Sequence, residues 1–289
     1  ASAPPAAITD MRRNVSQAQF VDAMERIRAY LEAGDTYQVN YTYRLRFRAH
    51  GSLFALYGRL RQRQPVPYGA LVRMPDGSAI LSLSPELFVR HQDGVMTARP
   101  MKGTAEASGN KDQDAQRAVA LATESKTRAE NLMIVDLLRN DLGRIARLGS
   151  VAVPCLFDVQ RYGRVLQMTS TVTARLRDDA TLGDIFDALY PCGSITGAPK
   201  RRTMQIIGEL ETGPRGYYTG AIGWFEAAPD GRAVGDFCLS VPIRTLLLQA
   251  PEADGARNGE KGIGAGIVYD SDPAAEYAEC ELKARFLTD

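Results

Sequence analysis

The chain has 289 residues, of which 45% are hydrophobic and 24% charged, with a formal net charge of +1; this is an ordinary globular composition that excludes a disordered or fibrous protein. So even a balance offers no attraction to nucleic acid or to an anionic membrane, no apolar run is long enough to span a bilayer, and the start has no charged segment leading into an apolar one, so the expected location is cytoplasmic. Cys155, Cys192, Cys238 and Cys280 lack C-x-x-C spacing, and the histidines are His50 and His91 alone, which leaves disulfide frameworks, zinc knuckles and Ser-His-Asp hydrolases without their parts.

Residues 1–15, rich in Ala and Pro at first, read as a loose leader, and 16–289 as a single domain. Ser16 with Gln19 forms a capping-box pattern, and Phe20, Met24, Ile27 and Leu31 then recur at helical spacing up to Gly34. Strict alternation follows. Tyr37, Val39, Tyr41, Tyr43, Leu45 and Phe47 fall on one face of a long strand, with Gln38, Asn40, Thr42, Arg44, Arg46 and Arg48 on the other. A short helix is predicted after Ser52, ending before Pro65. The runs Ala79–Val89 and Val95–Ala98 flank the turn pair Asp93-Gly94 and read as a hairpin within an antiparallel meander, with Glu86 on its first arm. The second arm leads into Thr97-Ala98-Arg99-Pro100-Met101-Lys102-Gly103-Thr104, which places Lys102 where a strand stops against a proline and a glycine. If the arms pair, a carboxylate and an amine share one cleft, the minimal set for a nucleophile with a proton donor.

From Asp112 to Arg147 the composition predicts one or two long helices with a break at Gly143. The segment from Glu130 to Asp141 is apolar almost all round and is expected to be buried, with Glu130 beside the buried face, a costly place for an unpaired carboxylate. Val165–Leu176 reads as a strand, and Thr181 caps a helix. The turn Pro191–Lys200 then feeds a helix from Arg201 to Leu210 and offers free N–H groups to an anion, although its Gly197 and Lys200 are not adjacent as a P-loop requires. Tyr217–Phe225 and Asp236–Leu248 read as strands joined through the turn Asp230-Gly231, and Gln249–Lys261 as a mobile loop. Gly262-Ile263-Gly264-Ala265-Gly266 is a strand whose glycines permit close approach of a ligand. Asp272-Pro273 opens a last helix that carries Glu276, Glu279 and Lys283 on one face, continuing into Cys280, Phe286 and Leu287.

Together these segments closely resemble the chorismate-utilising enzymes, the family of anthranilate synthase component I, aminodeoxychorismate synthase component I, and the isochorismate and salicylate synthases. The resemblance runs from Ser16 to Leu287. It rests on Ser84-Pro85-Glu86, Ala129–Met133 with Asp136–Asp141, Gly193–Lys200, Gly264-Ala265-Gly266, and Asp272-Pro273 with Glu276, Glu279 and Lys283. It implies an α+β fold, a large antiparallel β-sandwich flanked by helices, around a magnesium-dependent site. It also implies that the chain begins near the first core helix, without the N-terminal extension that full-length members carry.

Carried onto this sequence, the resemblance makes Glu130 and Glu279 the Mg2+ ligands, with Glu276 behind them. Gly264, Gly266 and Ser194 would hold the ring carboxylate of chorismate, and Tyr218 with Arg244 its enolpyruvyl carboxylate. Gln38 stands where the water-adding members have a lysine, Gln167 where several relatives have histidine, and Lys102 where anthranilate synthases read Pro-Ile-Ala-Gly-Thr. A lysine there is similar to the aminodeoxychorismate-forming members. In these the amine attacks C2, the 4-hydroxyl leaves with a proton from Glu86, and ammonia displaces the lysine at C4; Glu86 then needs a raised pKa and Lys102 a lowered one. No Cys-His-Glu amidotransferase set is recognisable, so the ammonia would come from a glutaminase subunit. The alternatives are anthranilate synthesis or a catalytically silent chorismate-binding regulatory subunit.

Overall fold

A computed structural model describes residues 6–162, 165–229 and 231–284. Three expected features, Asp230 of the turn and Phe286 and Leu287 of the last helix, lie outside the described residues, as do the first five residues of the leader. The rest of that leader is not loose. Ala7–Arg13 forms strand β1 and pairs antiparallel along β2 (Gln38–His50). Its side chains are almost all exposed and show no alternation, because it serves only to satisfy the backbone of its neighbour.

Helix α1 (Gln17–Glu32) starts on the complete Ser16–Gln19 capping box and buries Phe20, Ala23, Met24 and Ile27. Helix α2 (Leu53–Arg63) is capped by Ser52. Strands β3 (Tyr68–Arg73) and β4 (Ala79–Ser84) form a hairpin. The expected continuous arm through Val89 is broken at Pro85. Strand β5 (Leu87–Gln92) belongs to a second sheet, where it pairs with β6 (Val95–Arg99), so Glu86 lies on a crossover between sheets and not on a hairpin arm. The chain also continues past Pro100 as β7 (Met101–Glu106), with Lys102 inside the strand beside a register shift at Gly103.

Helices α3 (Lys111–Thr123) and α4 (Ser125–Gly143) break at Glu124, and α4 exposes Leu132 while burying Asn131, Ile134, Val135, Leu138 and Leu142. The Glu130–Asp141 segment is therefore buried on one side only. Strand β8 (Ala152–Tyr162) has no counterpart in the sequence reading; it is half-exposed, carries Pro154, and pairs with β9 (Val165–Arg175) across two irregularities. After α5 (Leu182–Leu189), a single turn at Gly193–Ile195 and the short β10 (Gly197–Ala198) lead into α6 (Lys200–Leu210). Only Ile222–Phe225 of the expected 217–225 strand is extended, as β11. The run 236–248 splits into β12 (Phe237–Ser240) and β13 (Thr245–Leu248), one in each sheet. Strand β14 (Arg257–Ile267) begins inside the expected loop, drawn into the ladder by eleven consecutive partners on β2. Helix α7 (Pro273–Ala284) closes the described chain, its Ala275 N–H bonded to the Asp272 carboxylate.

One sheet runs β1-β2-β14-β13-β4-β3 with β10 on β2, and the other β11-β12-β5-β6-β9-β7 with β8 on β9. Every named pairing is antiparallel. The fold is thus α+β, as expected. Two cores hold it. Val39, Tyr41, Tyr43, Leu45 and Phe47 pack under α1, α2, α6 and α7, and residues of β5, β6, β9 and β12 pack under α4 and α5. Tyr37, expected on that first face, is instead exposed. Among the described residues no helix is long and apolar enough to cross a membrane.

The pairing of β10 with β2 admits no side chain at Gly197, where φ is +144° and a Cβ would sit 1.9 Å from the Gln38 carbonyl oxygen. Gly197→Ala is expected to cost about 3 kcal/mol or more in chemical denaturation, since strained φ and a backbone collision combine. Gly213→Ala, with open space around it, is the control. A neutral result at Gly197 would contradict the pairing.

Candidate active site

The first sheet has an inner face that its helices do not cover. Along β2 this face carries Gln38, Asn40, Thr42 and Arg44, and of these Gln38, Thr42 and Arg44 are buried. The polar side of the strand thus faces the interior. Opposite it β14 presents Gly262, Gly264 and Gly266, in register with Arg44, Thr42 and Asn40. A Cβ on Gly262 would lie 2.2 Å from the Tyr218 ring, on Gly264 2.6 Å from Thr42, and on Gly266 2.6 Å from the Gln38 amide. The three glycines make a floor on which other side chains lie flat. The Gln38 amide, fully buried, has neither Oε1 nor Nε2 hydrogen-bonded, which marks a polar surface awaiting a partner.

Glu86 and Arg244 come from two crossovers that run side by side. The Val241 N–H donates to the Glu86 carbonyl at 3.1 Å, the Leu83 N–H to the Arg244 carbonyl at 3.2 Å, and the Ser84 hydroxyl to the Val241 carbonyl at 2.5 Å. Arg244 takes a left-handed φ of +51° to make the passage. The Glu86 carboxyl is buried and accepts one hydrogen bond, from the Ser194 hydroxyl at 2.7 Å. Burial pushes its pKa up, against the opposing pull of Ser194, Lys102 and Arg244. Lys102 is partly accessible, yet the protein around its amine pushes its pKa down, against the attraction of Glu130 and Glu86 and with the help of Lys283. Each member of the pair is thus driven toward its neutral form. Gly103, at φ +71°, lets β7 pass within reach of α4, where a Cβ would lie 2.4 Å from Thr127.

Glu130 projects from α4 toward α7. Burial raises its pKa, Lys102 and Lys126 lower it, and Glu276 and Glu279 raise it again. These carboxylates therefore face one another across the site, an excess of hard oxygen donors that suits a divalent cation such as magnesium. They do not form a closed cage: among the described residues no cluster of His, Cys, Asp and Glu is tight enough to hold a metal ion. Glu276 accepts from the Ser271 hydroxyl at 2.7 Å, and Glu279 pairs with Lys283 at 2.7 Å. Lys283 also donates to the Gly264 carbonyl at 2.9 Å. The bridging place of this lysine is visible only once β14 and α7 are packed together, since helical spacing shows its pairing with Glu279 alone.

The expected anion-binding turn has a different internal use. Lys200 is tied to Asp141 at 2.6 Å and to the Leu189 carbonyl at 3.2 Å, and Ser194 serves Glu86. The Cys192 thiol beside it is pushed up to about 12 by burial, which leaves it inert. Gln167 reaches Thr104 at 3.4 Å while its Oε1 is unbonded, one strand over from Lys102. Sequence reasoning missed Lys261. It lies in the expected loop, yet it is 2% exposed, donates to the Lys283 carbonyl at 2.6 Å, and has its pKa lowered to about 7 by burial, Arg244 and Lys283. Beyond Tyr218 a cavity of about 590 Å³ opens to the surface without containing Lys102 or Glu86.

The structure therefore links these residues in one series, Ser194 and Arg244 to Glu86, Glu86 to Lys102, Lys102 to Glu130, and Glu130 to Glu276 and Glu279, with Tyr218, Gly264 and Gly266 on the adjoining floor. The sequence is 42% identical to aminodeoxychorismate synthase component 1 of Klebsiella aerogenes over 93% of this chain and 56% of that protein. It is 41% identical to an anthranilate synthase component 1 of Haloarcula marismortui over 93% of this chain and 52% of that one. The chain thus spans little more than half the length of these relatives. The crystal structure of anthranilate synthase component I from Streptococcus pneumoniae superposes with a TM-score of 0.85 at 34% identity, over 98% of this chain and 60% of that one. The model of the chorismate binding enzyme family matches residues 1–289, and the chain belongs to that family.

Proposed function

We propose that this chain converts chorismate and ammonia to 4-amino-4-deoxychorismate, the chemistry of an aminodeoxychorismate synthase component I. The observation that carries the reading is the buried Glu86 with the half-buried Lys102 in electrostatic reach of it, the acid shifted toward COOH and the amine toward NH2 by their surroundings. The Lys102 amine adds to C2, both ring double bonds shift (C1=C2 to C1=C6 and C5=C6 to C4=C5), and the bond from C4 to its hydroxyl breaks as Glu86 delivers the proton, releasing water. Ammonia then adds at C4 and the same shift in reverse expels Lys102; the proton that ammonia sheds returns to Glu86. Chorismate plus ammonia gives product plus water.

Tyr218 and Arg244 would grip the enolpyruvyl carboxylate, the planar guanidinium matching the carboxylate fork. Gly264 and Gly266 would admit the ring carboxylate to the β14 backbone, beside Ser194. Glu130 and Glu279 would hold Mg2+ with Glu276 behind them. When bound, the ion supplies positive charge to the ring carboxylate. Lys283 stays tied to the Gly264 carbonyl. Ammonia would be delivered by a glutaminase subunit. The second reading, anthranilate synthesis, is favoured by the similarity to anthranilate synthase sequences and differs in having ammonia attack C2 directly; Lys102 decides between the two. A silent binding subunit has no use for a buried acid beside an amine whose pKa is pushed down.

With chorismate and magnesium but no ammonia, a fraction of the protein should carry a covalent adduct on Lys102, read by intact mass. Lys102→Ala should form none, lose most product, and still bind chorismate. An unchanged rate and product after that substitution, with no adduct on the parent, would leave the anthranilate reading in place.

The productive pair carries one proton in total, on Glu86. Adding a second charges Lys102 and removing the last ionises Glu86, so kcat/KM should be bell-shaped in pH, its limbs belonging to the pair as a whole. Glu86→Ala should abolish the alkaline limb and retain the acid one, where activity rises as Lys102 loses its proton. A variant with both limbs intact would assign them elsewhere.

Chelation with EDTA is expected to abolish turnover and added Mg2+ to restore it. Glu130→Gln should raise the half-saturating Mg2+ concentration by roughly 10-fold or more, as expected for loss of a charged ligand. Full activity in EDTA would remove magnesium from the mechanism.

A further inference from the structure

Beneath Tyr218 lies a buried charged network that the proposed chemistry does not use. The Glu211 side chain is 5% exposed. It accepts from the Thr42 N–H at 2.9 Å, from the Thr42 hydroxyl at 2.8 Å, and from Arg215 Nη2 at 2.6 Å and Nε at 3.1 Å. Arg215 turns its other donors to two main-chain carbonyls, Ile195 at 2.7 Å and Asn40 at 2.7 Å. Its own carbonyl accepts the Tyr218 N–H at 3.1 Å, closing a turn in which Gly216 has φ +57°. The neighbouring Arg44 places its guanidinium 5.3 Å from the Tyr218 ring centroid and donates to the Pro214 carbonyl at 3.1 Å.

For stability alone a buried ion pair is a poor choice, because apolar side chains of the same volume commonly do as well or better. Apolar side chains cannot, however, fix main-chain carbonyls from separate segments. The carbonyls that Arg215 holds belong to Ile195, next to Ser194, and to Asn40, two residues from Gln38. The ring that its turn sets down is the one lying on Gly262. The planar fork of an arginine is required, since it makes bidentate and diverging bonds at once, which an ammonium cannot. We propose that Arg215, oriented by Glu211, is a positioning residue that holds Tyr218 in place over the β14 floor relative to the Ser194 turn. The inference rests on the chorismate reading given above.

The test is a double-mutant cycle on chorismate KM, with chorismate affinity measured by calorimetry in a Lys102→Ala background. Arg215→Lys should raise KM and the dissociation constant by about 10-fold or more, within the usual cost of a lost charge-assisted network, while kcat changes by less than about 3-fold. In a Tyr218→Ala background the same substitution should have little further effect, because the residue acts through the ring. Equal factors in both backgrounds would overturn the proposal, as would a loss confined to kcat. If Arg215→Lys does not fold, Glu211→Gln, which keeps an acceptor for Thr42 and loosens Arg215, takes its place in the cycle and must show the same dependence on Tyr218. Failure of the parent and Lys102→Ala proteins to bind chorismate would sink the functional reading itself, whereas binding with additive losses sinks only the role of Arg215.

Discussion

The structure depends on one constraint: two of the chain's passages between the sheets, the short ones at 84–87 and 240–245, run side by side and are hydrogen-bonded to each other. Val241 to Glu86 and Leu83 to Arg244 are the bonds that join them. Each crossing would otherwise leave backbone donors and acceptors buried without partners, at a cost of several kcal/mol per group in an apolar setting. Pro85 and the left-handed Arg244 are where the ladders stop. Because the crossings lie in the interior, Ser84, Glu86 and Ser240 are buried despite their polarity, and Arg244 is half-buried. That is how a carboxyl comes to sit where water cannot solvate its charge. The raised pKa of Glu86 is therefore a consequence of topology, and no feature of the residue itself would produce it.

The same constraint explains why the long strand β2 has a polar face that is not solvated. Val39 to Phe47 face the helices, and Gln38, Thr42 and Arg44 face inward against a glycine-lined strand. A small-residue floor under polar walls lets Tyr218, Thr42 and Gln38 lie close against the β14 backbone. Where a charge is committed to structure it is saturated, as with Lys200 and Asp141 or Glu211 and Arg215. Where it is not, the groups are left as raised acids, a lowered amine and an unbonded amide. That contrast separates scaffold from site more sharply than burial does.

Much of this was legible in the sequence wherever a local rule governs. The capping box at Ser16, the cap at Thr181, the β2 alternation and the Asp272-Pro273 start of α7 follow from side-chain chemistry within a few residues. The candidates Glu86 and Lys102 come from the expected hairpin and Glu130 from its place beside an apolar helix face, whereas Glu279 is singled out as a ligand only through the resemblance. What could not be read was set by long-range pairing. Strand β1 has no apolar face, β8 is irregular and half-exposed, and residues 257–261 look like a polar loop until β2 provides their partners. The Ala79–Val89 run reads as one arm because alternation continues through Pro85, and only the second sheet divides it. Lys261 was invisible for the same reason: its burial depends on α7 packing over a strand that its own composition does not announce.

Charge balance links the proposed ligands to this interior. Around the site the acids Glu86, Glu130, Glu276 and Glu279 are matched by the bases Lys102, Lys261, Lys283 and Arg244. Neutralising Glu86 and Lys102 together removes one charge of each sign, and Lys261, lowered to about 7, is only partly charged at neutral pH, so the remaining acids are in slight excess. Chorismate carries two carboxylates, and a dianion entering such a low-dielectric space alone would meet Glu130 and its partners with a repulsion worth several kcal/mol at close range. A divalent cation entering with it cancels that excess, and Glu130, already disfavoured as an anion by burial and further by Glu276 and Glu279, is the group most relieved. Under the proposed function, metal and substrate are therefore each the condition for the other's binding. That mutual requirement is a coupling free energy between the two ligands, and it must appear with equal size whichever of them is added first.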